Sequence, residues 1–153
     1  MTTTGTFLVT AADEESAVLA NVTDGQVCTL ADNPGFAAEQ IVEATLRPVP
    51  PLETVWEVED LRETREVTVT ESDERPTKTS REVAADLDDG DLAVRERAGE
   101  GEIHVIGVPE AVTGDAVEDA LGDEQTLRTA ARLGVDRVEV RSAPGVVTVR
   151  YLP

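Results

Sequence analysis

Residues 130–152 read AARLGVDRVEVRSAPGVVTVRYL, and this stretch decides the fold of the second half of the chain. Its first residues close an apolar pattern with helical spacing, and Gly134 is the residue type that most often ends a helix. Two segments of alternating apolar and polar residues follow, 136–141 and 146–152, with Ala143-Pro144-Gly145 between them. Alternation with a period of two residues is typical of strands with one buried face. The stretch therefore predicts a helix followed by an antiparallel strand pair.

The residues before this stretch predict the same order of elements. Thr79-Ser80-Arg81-Glu82 matches a capping box and predicts a short helix through residue 87. Residues 92–98 and 102–108 predict a hairpin that turns at Gly99-Glu100-Gly101, and a second helix is predicted over 115–133. The order helix, strand, strand, helix, strand, strand predicts a four-stranded antiparallel sheet with two helices on one face, over residues 80–153.

Short segments rich in Val, Leu and Thr dominate the first half of the chain. They are separated by turn signals such as Thr23-Asp24-Gly25 and by the prolines of residues 48–51. The predicted strands are residues 6–12, 16–22, 26–31, 41–47, 54–59 and 66–70. So many short strands without helical periodicity predict a small antiparallel β-barrel, OB-like, over residues 1–71. Residues 72–79 are the predicted linker, and the predicted fold class is α+β.

The charge of the chain is extreme for its length. Lys78 is the only lysine, and 13 basic residues face 32 acidic ones, for a net charge of −19 over 153 residues. Val, Ile, Leu and Phe number 39, above the roughly 20% below which chains stay disordered, so the chain folds. Self-repulsion of this size works against a compact state in dilute buffer, whereas concentrated salt screens it. The composition therefore predicts a halophilic protein.

The first residues bear on the compartment. MTTTGTFLVTAADEE lacks the basic region and the long apolar run of a signal peptide or membrane anchor, so we expect a cytoplasmic protein with no membrane partner.

Few residues are available for catalysis. The chain has one histidine, one cysteine and one tyrosine, and it contains neither a nucleophile elbow nor a phosphate-binding Walker loop. The single Cys28 excludes an internal disulfide and a cysteine-rich zinc site. We expect no catalytic residue, no cofactor and no metal. An enzyme is the third hypothesis, in which Glu102 and His104 share one face of a strand as a general-base pair.

Arginines of the second half are the candidate binding residues. Arg95 and Arg97 share one face of their predicted strand, Arg137 and Arg141 share one face of theirs, and Arg150 belongs to the neighbouring strand. If these faces coincide, the five guanidinium groups form a surface that holds a phosphate backbone. This pattern favours a non-catalytic binding module that associates with RNA or the ribosome.

Two alternatives remain open for these arginines and for the function. Glu96 and Glu139 lie on the same strands and can pair with the guanidinium groups, which then only stabilise the sheet. The protein can also be an adaptor that binds another protein through an exposed sheet face or strand edge, with no role in nucleic-acid binding.

The whole chain resembles an uncharacterised family of haloarchaeal proteins, a conserved domain of unknown function. The segments that carry the resemblance are Gly5-Thr6-Phe7-Leu8-Val9-Thr10, Asp24-Gly25-Gln26-Val27, residues 97–105, residues 130–135 and the terminal Val149-Arg150-Tyr151-Leu152-Pro153. The resemblance implies a source and a compartment but no activity.

The first half also resembles, more weakly, the OB-type barrel of TRAM domains. The resemblance is carried by three strands, an Asp-Gly turn, Asn33-Pro34-Gly35 and Ile41-Val42-Glu43-Ala44. It implies a small barrel and RNA binding. This half departs from such domains because it has 16 acidic and 4 basic residues up to position 76.

We expect the melting temperature to rise steeply between millimolar and about 2 M KCl, because ions at this concentration shorten the Debye length to about 3 Å or less. Circular dichroism melts across a KCl series measure the effect, with sucrose at matched water activity as the control for general exclusion effects. Equal melting temperatures at both ends of the series would contradict the halophilic interpretation.

Overall fold

A computed structural model of the chain describes residues 1–96 and 101–153. Over these residues it confirms the mixed α+β class, with two five-stranded sheets and three α-helices. The described chain divides into two compact units. The first comprises residues 1–67 and 127–132, and the second comprises residues 68–126 and 133–153.

The first sheet is antiparallel and has the strand order β3-β2-β1-β4-β5. Its strands are β1 (Thr3–Ala12), β2 (Ala17–Asn21), β3 (Val27–Thr29), β4 (Ile41–Pro48) and β5 (Trp56–Arg65). The predicted closed, OB-like barrel is wrong. Among the described residues, one isolated bridge joins the edges of this sheet, between Leu30 after β3 and Trp56 of β5, because β3 has three residues and is too short to close the sheet.

Both faces of the first sheet are buried. One face packs around fully buried large side chains, among them Phe7, Leu19 and Leu46. On the other face, Leu8 and Ile41 pack with Ala131 of the third helix. The segments in which apolar and polar residues alternate thus form a sheet with a hydrophobic core on each side.

The second sheet has the strand order β6-β9-β10-β8-β7. Its strands are β6 (Thr68–Glu71), β7 (Leu92–Glu96), β8 (Glu102–Gly107), β9 (Arg137–Ala143) and β10 (Val146–Leu152). The helices are α1 (Lys78–Ala85), α2 (Thr113–Gly122) and α3 (Glu124–Leu133), and a 3-10 turn covers Glu110–Val112. None of the helices in the described residues is long and apolar enough to cross a membrane.

The predicted four-stranded sheet is corrected to five strands, because β6 pairs in parallel with β9 instead of completing a barrel. The hairpin strands β7 and β8 are paired as predicted, while residues 97–100 of its turn lie outside the described residues. The predicted helix over 115–133 is two helices, since Asp123 has extended backbone and its side chain accepts from the Gln125 N–H at the start of α3.

The two faces of the second sheet are covered by different helices. α1 lies over one face, where its Ser80 and Val83 line a cleft together with Ile103 and Val105 of β8. The opposite face is apolar and buried. Its central residues, which we call the valine face, are Val138, Val140, Val147 and Val149. α2 packs on β6, β9 and β10 and covers this second face, so the prediction of both helices on one face is wrong.

We expect Leu46→Ala in β4 to lower the free energy of unfolding by about 2–5 kcal/mol, because Leu46 is fully buried and its removal leaves a cavity. Leu61→Ala in the neighbouring β5 is the matched control, since Leu61 is 46% exposed and should lose less than about 1 kcal/mol. Urea unfolding at constant molar KCl measures both variants. Equal losses would contradict the position of this core.

Candidate functional site

Strand register brings four of the five predicted arginines to one face of the second sheet. Arg95 is opposite Ile103, and Ile103 is opposite Arg150, so both arginines share a face. Arg141 is opposite Thr148 and Arg137 is opposite Leu152, two residues on either side of Arg150 along β10. We call this surface, formed by Arg95, Arg137, Arg141 and Arg150, the arginine face. Arg97 lies outside the described residues.

Arg141 is neutralised by its neighbours. Its side chain is 14% exposed, and its Nη2 lies 2.7 Å from a carboxylate oxygen of Glu74. Its Nε donates to Glu139, and Nη1 donates to the backbone carbonyl of Arg75. Two carboxylates and a carbonyl therefore occupy this guanidinium, and its role is to tie the segment after β6 to the sheet.

The other residues of the arginine face are more open. Arg137 is exposed and makes no ion pair within the described chain. Arg95 is also exposed, and its Nη1 donates to the Val94 carbonyl of its own strand at 2.9 Å. Arg150 is half-buried at the centre of the face. Arg95 and Arg137 are thus the members with donors directed at solvent.

A cleft of about 430 Å³ opens at one end of the arginine face, and we call it the α1 cleft. Arg75 and Arg81 line it, and its apolar wall includes Ala84 of α1 and Val146 of β10. No aspartate or glutamate of the described residues lines it. Within residues 1–96 and 101–153, neither the Arg75 nor the Arg81 side chain makes an ion pair or a hydrogen bond.

The sequence did not single out Arg75 or Arg81. Arg75 falls in the predicted linker and Arg81 in the capping box, six residues apart and on no common strand or helix face. The segment 72–77 folds back toward β9 through Glu74 and the Arg75 carbonyl, and the Thr77 hydroxyl caps α1 by accepting from the Ser80 N–H. Only this tertiary arrangement brings the two guanidinium groups to one cleft.

His104 is held in the sheet and lies apart from the α1 cleft. Its Nε2 lies 3.1 Å from Glu102 Oε1, and its ring packs against Tyr151 with centroids 4.8 Å apart. The predicted pairing with Glu102 is present, and the ring is 15% exposed on the side of the sheet opposite the arginine face. Within the described residues, no group of three or more His, Cys, Asp or Glu side chains is placed to hold a metal.

Cys28 is fully buried in the core of the first sheet. Burial raises the pKa of its thiol, and the negative charge of Asp24 raises this pKa further. The thiol therefore stays protonated and packs as a small apolar side chain, which is the opposite of what a nucleophile needs.

The open edge of the second sheet carries an exposed apolar strip. Leu92 and Val94 of β7 are 53% and 45% exposed. They are opposite Ile106 and His104 of β8, on the same side of the sheet as the valine face. Because α2 packs on β6, β9 and β10, the strip continues the apolar face toward the edge formed by β7.

A family model described as "Family of unknown function (DUF5812)" matches residues 3–142. The chain belongs to this family. The match confirms the predicted membership in a domain family of unknown function. No curated protein and no solved structure matches the chain.

We expect Arg141→Gln to lower the free energy of unfolding by about 1–3 kcal/mol, because it leaves the half-buried Glu139 without its charged partner. Arg137→Gln is the matched control on the same strand. It removes the same charge without breaking an ion pair within the described residues and should change stability by at most about 0.5 kcal/mol. Urea unfolding in molar KCl measures both variants. An unchanged free energy of unfolding in the Arg141 variant would contradict the structural role given to this side chain.

Proposed function

We propose that the protein is a non-catalytic binding module that holds the phosphate groups of RNA through the α1 cleft and the arginine face. The observation that supports the proposal is that Arg75 and Arg81 make no ion pair within the described residues. Acidic residues outnumber basic ones by 32 to 13, yet these two guanidinium groups share a cleft that no carboxylate of residues 1–96 or 101–153 lines. An anionic ligand supplies the missing partner.

The chemistry of the guanidinium group suits this ligand. Arginine presents its N–H donors in a planar fork that matches two oxygens of one phosphate group, and it keeps its charge at every pH of interest. The exposed Arg95 and Arg137 extend the surface beyond the α1 cleft, and Arg97 and Arg150 complete the proposed set. Arg141 supports the surface through its pairs with Glu74 and Glu139.

The ligand is recognised by its backbone rather than by its bases. Tyr151 of β10 lies on the side of the sheet opposite the arginine face, so its ring is not placed for a base on that face to stack on. Contacts to phosphate oxygens position a nucleic acid without reading its sequence. The proposal therefore implies weak sequence preference and an affinity that depends on the fit of a few guanidinium groups.

The proposed setting is the cytoplasm of a haloarchaeal cell with a concentrated salt interior. The net charge of −19 and the single lysine support it. Salt weakens phosphate binding because counterion release then contributes less. A protein that binds RNA under these conditions needs guanidinium groups that its own carboxylates leave available, which is the arrangement of Arg75 and Arg81.

Fluorescence anisotropy with a labelled single-stranded RNA in about 1 M KCl tests the proposal. We expect Arg75→Gln plus Arg81→Gln to weaken binding by about tenfold or more, since two charge-assisted contacts are lost. Arg47→Gln is the matched control, because Arg47 pairs with Glu57 in the first sheet. Inorganic phosphate and a nucleoside monophosphate, as competitors, distinguish a polymer ligand from a small anion.

The proposal is contradicted if the wild-type protein binds no RNA, or if the double variant and the Arg47 control bind equally. Competition by a nucleoside monophosphate together with no binding of RNA would replace the polymer with a small phosphate ligand at the same cleft.

A second candidate function is protein–protein interaction with no role in nucleic-acid binding. One observation favours it, namely the exposed Leu92 and Val94 on the edge strand β7. This strip lies on the side of the sheet opposite the arginine face, so substitutions there separate the two functions.

A further inference from the structure

The outer side of β7 offers backbone groups for another strand. β7 is the last strand of its sheet. The Asp91 carbonyl accepts from the Gly107 N–H, and backbone groups point to alternate sides along a strand. The N–H and C=O groups of Leu92 and Val94 therefore point away from β8, toward the open edge. Arg95 Nη1 donates to the Val94 carbonyl, so this side chain must release the carbonyl when another strand pairs there.

β7 lacks three features that protect many edge strands, namely lysine, proline and a β-bulge, and its charged residues Arg95 and Glu96 lie at its C-terminal end. The sequence Leu92-Ala93-Val94-Arg95-Glu96 has neither lysine nor proline, and its register with β8 runs without a shift. Its two large apolar side chains stay about half exposed. An edge of this kind is suited to pairing with a further strand.

We propose that a second copy of this chain occupies the edge, with the two β7 strands antiparallel and a two-fold axis beside Ala93. Leu92 then lies opposite the partner subunit's Val94, and this apolar pair occurs twice. Ala93 lies opposite the partner subunit's Ala93. On the arginine-face side, Asp91 lies opposite the partner subunit's Arg95, and this pair of opposite charges also occurs twice. The two sheets join into one sheet of ten strands.

Backbone geometry and charge select this register. Leu92 and Val94 both direct their backbone groups outward, so placing them opposite each other forms hydrogen-bonded pairs. An axis beside Val94 would also allow hydrogen bonds, but it would set Leu92 opposite Glu96 and Arg95 opposite Ala93. That register replaces the two Leu92–Val94 pairs with one Val94–Val94 pair and loses the two Asp91–Arg95 pairs. The strand is thus most complementary to itself with the axis beside Ala93, which favours a second copy over an unrelated peptide.

We expect salt to strengthen this association, whereas salt weakens a contact held only by ion pairs. Each copy carries a net charge of −19, so two copies repel each other in dilute buffer. Molar salt screens the repulsion and strengthens the burial of Leu92 and Val94. We therefore expect dimers in molar KCl and monomers in dilute buffer, at protein concentrations where the monomer is still folded.

Sedimentation velocity in about 2 M KCl at roughly 100 µM protein tests the inference, and wild type should show twice the 16.3 kDa of one chain. Val94→Lys should be monomeric. Val27→Lys is the matched control, since Val27 is an exposed valine on the edge strand β3 of the first sheet, and it should stay dimeric. Circular dichroism checks that each variant is folded.

A charge exchange tests the register itself. Asp91→Arg should weaken the dimer by about threefold or more, because like charges then lie in direct contact at two positions, where salt screens them least, and Asp91→Arg plus Arg95→Asp should restore it. A monomeric wild type, equal behaviour of Val94→Lys and Val27→Lys, or no recovery in the double exchange would each overturn the inference.

The inference rests on the second candidate function and not on RNA binding. The Arg75→Gln plus Arg81→Gln variant should remain dimeric, and Val94→Lys should still lose RNA affinity when Arg75→Gln plus Arg81→Gln is added, because the two surfaces share Arg95 but not the α1 cleft. Failure of one set of variants therefore leaves the other result intact.

Discussion

The alternation of Val147 and Val149 with Thr148 and Arg150 along β10, the central strand of the second sheet, is the constraint on which the described surfaces depend. Val147 and Val149 point to the valine face, whereas Thr148 and Arg150 point to the arginine face. A shift of one residue would exchange every side chain between the two faces and bury the arginines under α2. The hydrophobic burial of the valines therefore fixes the register, and the register in turn positions the arginines.

This constraint explains which parts of the fold were predictable from sequence. A strand whose two faces differ in polarity can be predicted from its period of two residues. β9 and β10 accordingly lie where the alternation of residues 136–152 indicates. The path of β6 depends on a long-range parallel pairing with β9, and no local pattern encodes it. The predicted closure of the first sheet was wrong for a similar reason, because β3 is shorter than its Val- and Leu-rich segment suggests. Local period predicts a strand but not its partner.

The candidate site was predictable to a smaller extent. Alternation alone places Arg137 and Arg141 on one face of β9, and the register of β9 with β10 adds Arg150 to this face. Whether each guanidinium group already has a carboxylate partner does not follow from the sequence. Arg141, for example, pairs with Glu74, a residue 67 positions earlier in the chain. Arg75 and Arg81 were missed because they belong to no periodic segment. In a chain with so many carboxylates, the informative quantity is which arginines remain without one, and only tertiary structure shows it.

Acidity and the two proposed associations are linked through salt. A surface of one sign resists both a second copy of itself and a polyanion at low ionic strength, so neither association is favoured in dilute buffer. Screening removes the long-range repulsion in both cases, and what remains is short-range fit. For the β7 edge the remaining terms are apolar contact and backbone hydrogen bonds, which molar salt preserves. For the α1 cleft the remaining term is the forked contact of two guanidinium groups with phosphate oxygens, which salt weakens only in part. The net charge of −19 thus prevents indiscriminate contact at low salt. At high salt, only surfaces with matched geometry associate.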